Sequence, residues 1–278
     1  MPNKPNPKQT VVELYNRVAP FYGGVGPNFF KHCGERMVEL GGIFPGARVL
    51  DVACGRGASL FPAAHASGAS GRGDLTAGVD LAWEMLRETK KEAGAHGLER
   101  LPLSQMDGDE LGFPPEAFDF LLCGFAIFFF PHPDVTLGEW RRVLVPGGKL
   151  IVCVVARSDE RWRWFEERLN VYHEQYRFPI TPMSGGSEIS RPPDIQSRML
   201  ASGFRESVIL TEDYELVYAD EREWWDSKWT HGSRFALENM PEGLLERFRS
   251  ETLADLSSLK QLDGFHEHWQ VAWVMGTK

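Results

Sequence analysis

The fold is decided by the stretch VLDVACGRGAS, residues 49–59 of a chain of 278. It opens with a short apolar run interrupted only by Asp51, which is typical of a buried strand in a parallel sheet. Gly55 and Gly57 follow with G-x-G spacing, and small residues come after them. Glycines at this spacing predict a sharp turn, at which a helix or a ligand can come close to the backbone.

Strands and helices alternate along the first half of the chain. The predicted strands of this half cover residues 47–53, 77–82, 101–107, 118–126 and 149–155. Helical periodicity lies between them, and such alternation predicts a parallel sheet with helices on both faces. Two further strands are predicted at residues 203–212 and 268–276, separated by segments rich in helical patterns and tryptophan.

Composition and charge narrow the class of protein. The net charge of −9 argues against a nucleic-acid partner, because binding to phosphates needs clustered Lys and Arg. The longest apolar run, residues 118–130, contains Asp119 and is too short to span a bilayer. The polar N-terminus lacks the apolar core of a signal peptide, so a cytoplasmic protein without stable membrane insertion is expected. No C-x-x-C pair or cluster of metal-binding side chains predicts a metal site.

The turn after the first strand departs from the one that binds a dinucleotide. A pyrophosphate-binding turn needs a third glycine at a fixed place, and this sequence lacks it. Asp51 would repel a pyrophosphate and would attract an ammonium or sulfonium group. Asp80 ends the next strand, where a carboxylate can accept hydrogen bonds from ribose hydroxyls. The residues therefore favour a ligand with a ribose and a positive charge, and they make an NAD-dependent oxidoreductase the weaker hypothesis.

Four motifs in order resemble those of class I S-adenosylmethionine-dependent methyltransferases, in the branch similar to ubiquinone/menaquinone and sterol methyltransferases. They are VLDVACGRGAS (49–59), GVDLAWEML (78–86), QMDGDELGFPPEAFDFLLCGFAIFFF (105–130) and EWRRVLVPGGKLIV (139–152). Residues 10–155 carry the resemblance, with Ala53 where the family more often has glycine. It implies an α/β, Rossmann-like fold with a seven-stranded, mostly parallel sheet whose last strand is antiparallel. It also implies S-adenosylmethionine as cofactor and S-adenosylhomocysteine as product.

The resemblance also divides the chain into three regions. Residues 1–40 would form a helical lid over the cofactor, and residues 41–155 the cofactor-binding core. Residues 156–278 would complete the sheet and carry substrate-binding helical insertions at about 157–203 and 214–264.

The family's cofactor residues carry over onto twelve positions. Asp51 would help to place the amino-acid end, Asp80 would bind the ribose, and Asp107 would accept from the adenine amino group. The small residues would let the cofactor approach the backbone, and two tyrosines of ELYNRVAPFY (13–22) would close over it. The implied cofactor residues are Tyr15, Tyr22, Asp51, Ala53, Gly55, Gly57, Asp80, Leu81, Met106, Asp107, Cys123 and Gly124.

The acceptor is less well defined by the sequence. Phenylalanines occupy positions 128–130, where relatives often have histidine, and they favour a hydrophobic small-molecule acceptor such as a quinone, polyketide, indole or prenyl-type natural product. Packing beneath the next helix is the alternative for these rings. The predicted acceptor pocket consists of Phe125, Phe128, Phe129, Tyr176 and Trp225.

A methyl acceptor that must lose a proton needs a base, and several residues qualify. His132, His173, Glu174 and His231 are the candidates, each with a structural role as the alternative. C-, O- and N-methylation all stay open, as does formation of a homo-oligomer. A methyltransferase-fold protein acting as a cyclase or as a non-catalytic binding module would keep every cofactor motif, so this alternative also stays open.

Overall fold

The computed structural model describes residues 7–68, 76–180 and 191–278, and these form a seven-stranded sheet with helices on both faces. The strands are β1 (Val49–Val52), β2 (Thr76–Asp80), β3 (Leu103–Gln105), β4 (Phe118–Gly124), β5 (Leu144–Arg157), β6 (Arg205–Tyr218) and β7 (Phe265–Thr277). Their order across the sheet is β3-β2-β1-β4-β5-β7-β6. Strand β7 runs opposite to the other six strands described, so the predicted Rossmann-like α/β class, with its antiparallel last strand, is confirmed.

Ten α-helices lie in the described ranges. They are α1 (Pro7–Val18), α2 (Phe29–Gly41), α3 (Leu60–Ser67), α4 (Trp83–Ala95), α5 (Pro133–Val143), α6 (Arg163–Tyr176), α7 (Pro192–Ala201), α8 (Glu221–Ser227), α9 (Arg234–Glu238) and α10 (Glu242–Leu256). Short 3₁₀ turns occur at Ile127–Phe129, Glu160–Trp162 and Ser257–Leu259. None of the helices described is long and apolar enough to cross a membrane.

The hydrophobic core lies on both faces of the sheet, because successive strand residues point to opposite sides. On one face, Leu121 and Leu150 pack in a cluster with Trp140 of α5. On the other, Leu122 and Ile151 belong to the larger cluster, which contains α2 and most aromatic residues of the later helices. The central strands are buried on both faces, which is why their sequences are almost continuously apolar.

An element boundary in the second half of the chain differs from the sequence-based expectations. Strand β6 continues to Tyr218, so the helices that follow it begin at Glu221 and not near residue 214. Residues 181–190, which fall in the first predicted insertion, lie outside the described residues.

The order of the strands places the site. The chain runs outward from β1 through β2 to β3, and then returns to place β4 on the other side of β1. In open α/β sheets, ligands bind beyond the carboxyl ends of the strands at such a switch point. The glycine turn after β1, Asp80 at the end of β2 and Gly124 at the end of β4 therefore come together at one edge of the sheet.

Candidate functional site

Three adjoining cavities open at this edge of the sheet. The lid cavity, of about 110 Å³, lies beneath α1 and reaches Asp80 and Asp107. The loop cavity, of about 430 Å³, lies between the glycine turn and the start of α2. The aromatic cavity, of about 350 Å³, lies on the side of β6, β7 and α8. Tyr22 and Phe125 line all three, so the cavities meet at these two side chains.

The glycine turn separates the lid cavity from the loop cavity. Ala53, Gly55 and Gly57 all have positive φ, at 56°, 52° and 84°. A Cβ on Gly57 would meet the ring of Phe61 at 2.7 Å, so glycine is required there for space as well as for conformation. The Oγ1 of Thr89 donates to the carbonyl of Gly55 at 2.6 Å and fixes the turn. The turn is therefore fixed in one conformation, and its backbone faces both cavities.

Two carboxylates, the fully buried Asp51 and the half-buried Asp80, lie beside the turn. Asp80 accepts from the backbone N–H groups of Gly55 and Ala82, both at 2.8 Å. Asp51 is fully buried and accepts from the Oγ of Ser59 at 2.7 Å, whereas its Oδ1 has no hydrogen-bond partner among the described residues. Burial raises the pKa of Asp51 to about 7 and that of Asp80 to about 6. A cation placed here would stabilise both charged forms.

The N-terminal helix forms the roof of the lid cavity. The Nζ of Lys8 donates to Asp107 Oδ1 at 2.5 Å and to Asp109 Oδ2 at 2.8 Å, which ties the start of α1 to the segment after β3. Tyr15 and Tyr22 lie edge to face, with ring centroids 6.0 Å apart. Burial raises the pKa of both phenols, so both are neutral. The tyrosines predicted to close over the cofactor therefore stand on the wall of this cavity.

The remaining predicted cofactor residues fall into three groups. Leu81, Met106 and Asp107 line the lid cavity. Gly57 lines the loop cavity, and Ala53, Gly55 and Gly124 line both. Asp51 and Cys123 lie behind the cavity walls, fully buried in β1 and β4.

The aromatic cavity combines apolar walls with a small polar group. Its rings are Tyr15, Tyr22, Phe29, Phe30, Phe125, Phe128, Tyr218 and Trp269. Ser227, Thr230 and His231, at the end of α8 and just beyond it, supply the polar side chains. Burial, and to a lesser extent the nearby Lys228, lowers the pKa of His231 to about 3, so its imidazole is neutral at ordinary pH. A flat apolar molecule with one hydrogen-bonding end would fit such a cavity.

Three of the four candidate bases lie away from all three cavities. His132 is exposed at the start of α5, where its carbonyl accepts from Thr136. The Nδ1 of His173 is hydrogen-bonded to the carbonyl of Phe178 at 2.6 Å, and Glu174 is exposed on α6. Of the four candidates, His231 is the one that lines one of these cavities.

The structure does not bring the five predicted acceptor-pocket residues together. Tyr176 packs on Tyr172 at the outside of α6, and Trp225 is buried near Phe248, so neither lines any of the three cavities. Phe129 lines the lid cavity, where it lies edge to face with Tyr15 at 5.3 Å. Phe125 and Phe128 do line the aromatic cavity. The insertion tryptophans pack mainly on one another, as Trp164 does on Trp224 at 5.9 Å.

Sequence reasoning missed several residues of the site. Phe29 and Phe30 start α2 and line both the loop and the aromatic cavity. Trp269 lies on β7, and its indole N–H donates to Glu267 at 2.6 Å. The adjacent aromatic pair after Pro27-Asn28, at the start of a helix, was a signal that could have found Phe29 and Phe30. Nothing local marks Trp269, because its position depends on the pairing of β7 with β5 and β6.

Comparison with known proteins finds a methyltransferase domain in this chain. Residues 50–152 match the family described as "Methyltransferase domain". Aklanonic acid methyltransferase DauC from a Streptomyces species is 35% identical over 51% of this chain and 64% of its own length, so this match spans under two thirds of that enzyme. Nocamycin O-methyltransferase from Saccharothrix syringae is 28% identical over 95% of this chain and 96% of its own length.

The fold itself is shared with solved structures. Phosphoethanolamine N-methyltransferase 2 from Haemonchus contortus, solved with S-adenosyl-L-methionine, has a TM-score of 0.54 at 18% identity. That likeness covers 97% of this chain and 57% of the other, and it concerns the fold alone. The family match and the sequence relatives go further. Residues 50–152 match a methyltransferase domain, and the match and the relatives indicate S-adenosylmethionine as the cofactor, as the motifs predicted.

Proposed function

We propose that the protein transfers the methyl group of S-adenosylmethionine to an acidic hydroxyl, such as an enol or a phenol, on a small, flat and largely apolar acceptor. The observation that carries this proposal is the contact between two cavities of different chemistry. The lid cavity holds the polar side chains expected for the cofactor, and the aromatic cavity adjoins it along Tyr15, Tyr22 and Phe125.

The residues present fit the cofactor. The unpaired Oδ1 of Asp51 is a buried acceptor next to a turn whose glycines leave room for a ligand. Asp80 would hold the ribose hydroxyls and Asp107 the adenine amino group, with Tyr15 and Tyr22 covering them. The cofactor, when bound, supplies a methyl group on a positively charged sulfur. This chain's part is to align the acceptor, and alignment can contribute roughly 7–11 kcal/mol to the rate.

The state of His231 narrows the kind of acceptor. A base works best when its pKa lies near the operating pH, and the pKa of His231 is about 3. Such an imidazole accepts a hydrogen bond and orients a hydroxyl, but it is too weak a base to hold a proton at ordinary pH, so the proton must leave to water. Vinylogous acids and phenols on conjugated rings lose a proton in this way far more readily than aliphatic alcohols do. The aromatic walls favour the same class of molecule, because they stack on flat rings.

The relatives support an acceptor of this kind. DauC is named for aklanonic acid, and the Saccharothrix enzyme is named an O-methyltransferase of nocamycin. We extend from them only the chemical class, a natural product of polyketide type, since identities of 35% and 28% leave the acceptor residues free to differ.

A matched panel of acceptors tests the proposal. Purified protein is incubated with S-adenosylmethionine and one of 2-hydroxy-1,4-naphthoquinone, 1-naphthol, 1-naphthylamine or cyclohexanol, and products are followed by mass spectrometry. We expect a gain of about 14 Da on the acidic hydroxyl compounds and none on cyclohexanol, with the new methyl on oxygen by NMR. Tight binding of the cofactor without transfer to any hydroxyl compound would contradict the proposal and favour the cyclase or binding-module alternative.

A further inference from the structure

Phe125 has an unusual backbone for a bulky residue. It directly follows β4, and its φ is +52°, in the left-handed region that favours glycine. Gly124, the residue before it, would accept a Cβ with only ordinary contacts, to Met37 Cε at 3.7 Å and Ser59 Oγ at 3.9 Å. The chain therefore has phenylalanine at the strained position and glycine beside it, at a place where glycine is not needed for space.

The surroundings of Phe125 hold this conformation in place. Its backbone N–H donates to the carbonyl of Cys153 on β5 at 2.8 Å. Its ring lies 5.3 Å from the rings of both Phe29 and Phe30, measured between centroids. Strained residues persist only where the surrounding structure fixes them, and they cluster at functional sites. Here the fixed conformation directs a half-buried ring into the junction of the three cavities.

We infer that Phe125 is a positioning residue, whose ring forms the wall between cofactor and acceptor and sets which acceptor atom lies behind the methyl group. This inference rests on the proposed function. A ring that cannot turn away gives the acceptor one stable orientation, and a small misplacement of reacting atoms costs a large factor in rate. Tyr22, the other side chain common to the three cavities, stacks on Phe30 at 5.2 Å and completes the wall.

Neighbouring phenylalanines provide matched controls. Phe128 lines the aromatic cavity and not the lid cavity, and Phe129 lines the lid cavity and not the aromatic cavity. Phe128→Ala should therefore weaken acceptor binding alone, and Phe129→Ala should weaken cofactor binding alone. Phe125→Ala removes the ring and keeps the strained β-carbon, whereas Phe125→Gly removes both. Phe125→Gly should consequently unfold at a higher denaturant concentration than Phe125→Ala. This difference would show that the backbone at residue 125 is strained.

The first readout is the site of methylation on 1,3-dihydroxynaphthalene, an acceptor with two different hydroxyls. We expect the wild type to favour one hydroxyl at least about tenfold. Both Phe125 variants should lose this preference, and their kcat should fall about 100-fold. Their KM for S-adenosylmethionine should change less than threefold. Phe128→Ala should raise the acceptor KM and keep the product ratio. An unchanged product ratio and kcat in both Phe125 variants would overturn the inference.

The second readout does not depend on turnover. Calorimetry gives the Kd of 2-hydroxy-1,4-naphthoquinone with and without saturating S-adenosylhomocysteine. We expect about a tenfold coupling between the two ligands in the wild type, Phe128→Ala and Phe129→Ala, and less than twofold in Phe125→Ala. If no acceptor is methylated, the proposed function fails, and this coupling alone decides the role of Phe125. The inference about Phe125 would then be refuted if the wild type and Phe125→Ala show equal coupling, or if the wild type shows no coupling.

Discussion

Replacing Asp51 by asparagine should stabilise the protein and weaken cofactor binding. Burial raises the pKa of this carboxyl from 3.8 to about 7, an interval worth about 4 kcal/mol at roughly 1.4 kcal/mol per pH unit. Between these values the folded state binds more protons than the unfolded state, so stability falls as the pH rises. Asp51→Asn removes this cost, and its advantage in the free energy of unfolding should grow from nothing near pH 4 to about 4 kcal/mol above pH 7.

Binding of S-adenosylmethionine should favour the wild type over Asp51→Asn and so offset the variant's gain in stability. A cation bound beside Asp51 favours the carboxylate, so the wild type should bind S-adenosylmethionine more tightly as the pH rises toward 8. Affinity for Asp51→Asn should be lower and nearly independent of pH. Urea unfolding and calorimetry between pH 5 and 8 measure both quantities. Asp119→Asn is the matched control, because Arg48 lowers the pKa of Asp119 and the same change should destabilise. Loss of stability in Asp51→Asn above pH 7, or unchanged cofactor affinity, would refute the reasoning.

Three further substitutions test other parts of the site. Asp80→Ala should weaken S-adenosylmethionine binding by about 100-fold or more in calorimetry, because two charge-assisted hydrogen bonds to the ribose are each worth about 1.5–3 kcal/mol. The circular dichroism spectrum should stay unchanged. Unchanged affinity would show that the ribose assignment is wrong. His231→Asn should lower kcat for a naphthol acceptor about 10- to 100-fold without changing the Kd of the cofactor, and full activity would remove His231 from the reaction. Ala53→Gly should raise the free energy of unfolding in urea by about 1 kcal/mol, because Ala53 has φ of +56°; a decrease would mean that the residue is not strained.

The cofactor half of the site could be predicted from the sequence because it is built locally. In a parallel sheet the carboxyl ends of neighbouring strands meet at one edge. Identifying β1 and β2 therefore also placed the glycine turn and Asp80 together, and β4 added Gly124. The acid at each strand end was visible in the sequence, and so was its distance from the glycines.

The acceptor half could not be predicted in the same way. Its residues come from distant segments, such as Phe29 on α2, Trp269 on β7 and His231 after α8, and only tertiary packing brings them together. Aromatic residues at helical spacing fit a core as well as a pocket, and Trp225 belongs to the core. The 3₁₀ turn at Ile127–Phe129 adds a further difficulty. Consecutive side chains on a turn with three residues per turn face different directions, so neighbouring phenylalanines line different cavities.

The charges of the site impose an order on binding. Asp80 lines the lid cavity and Asp51 lies behind its wall, and burial raises the pKa of both carboxyl groups. An acidic acceptor that enters first, as an enolate or phenolate, meets this negative field across the ring of Phe125. A bound sulfonium would offset the carboxylates and would attract the same anion at short range. We therefore expect the cofactor to bind before the acceptor, with the aromatic walls of the site holding the acceptor ring so that its oxygen faces the methyl group.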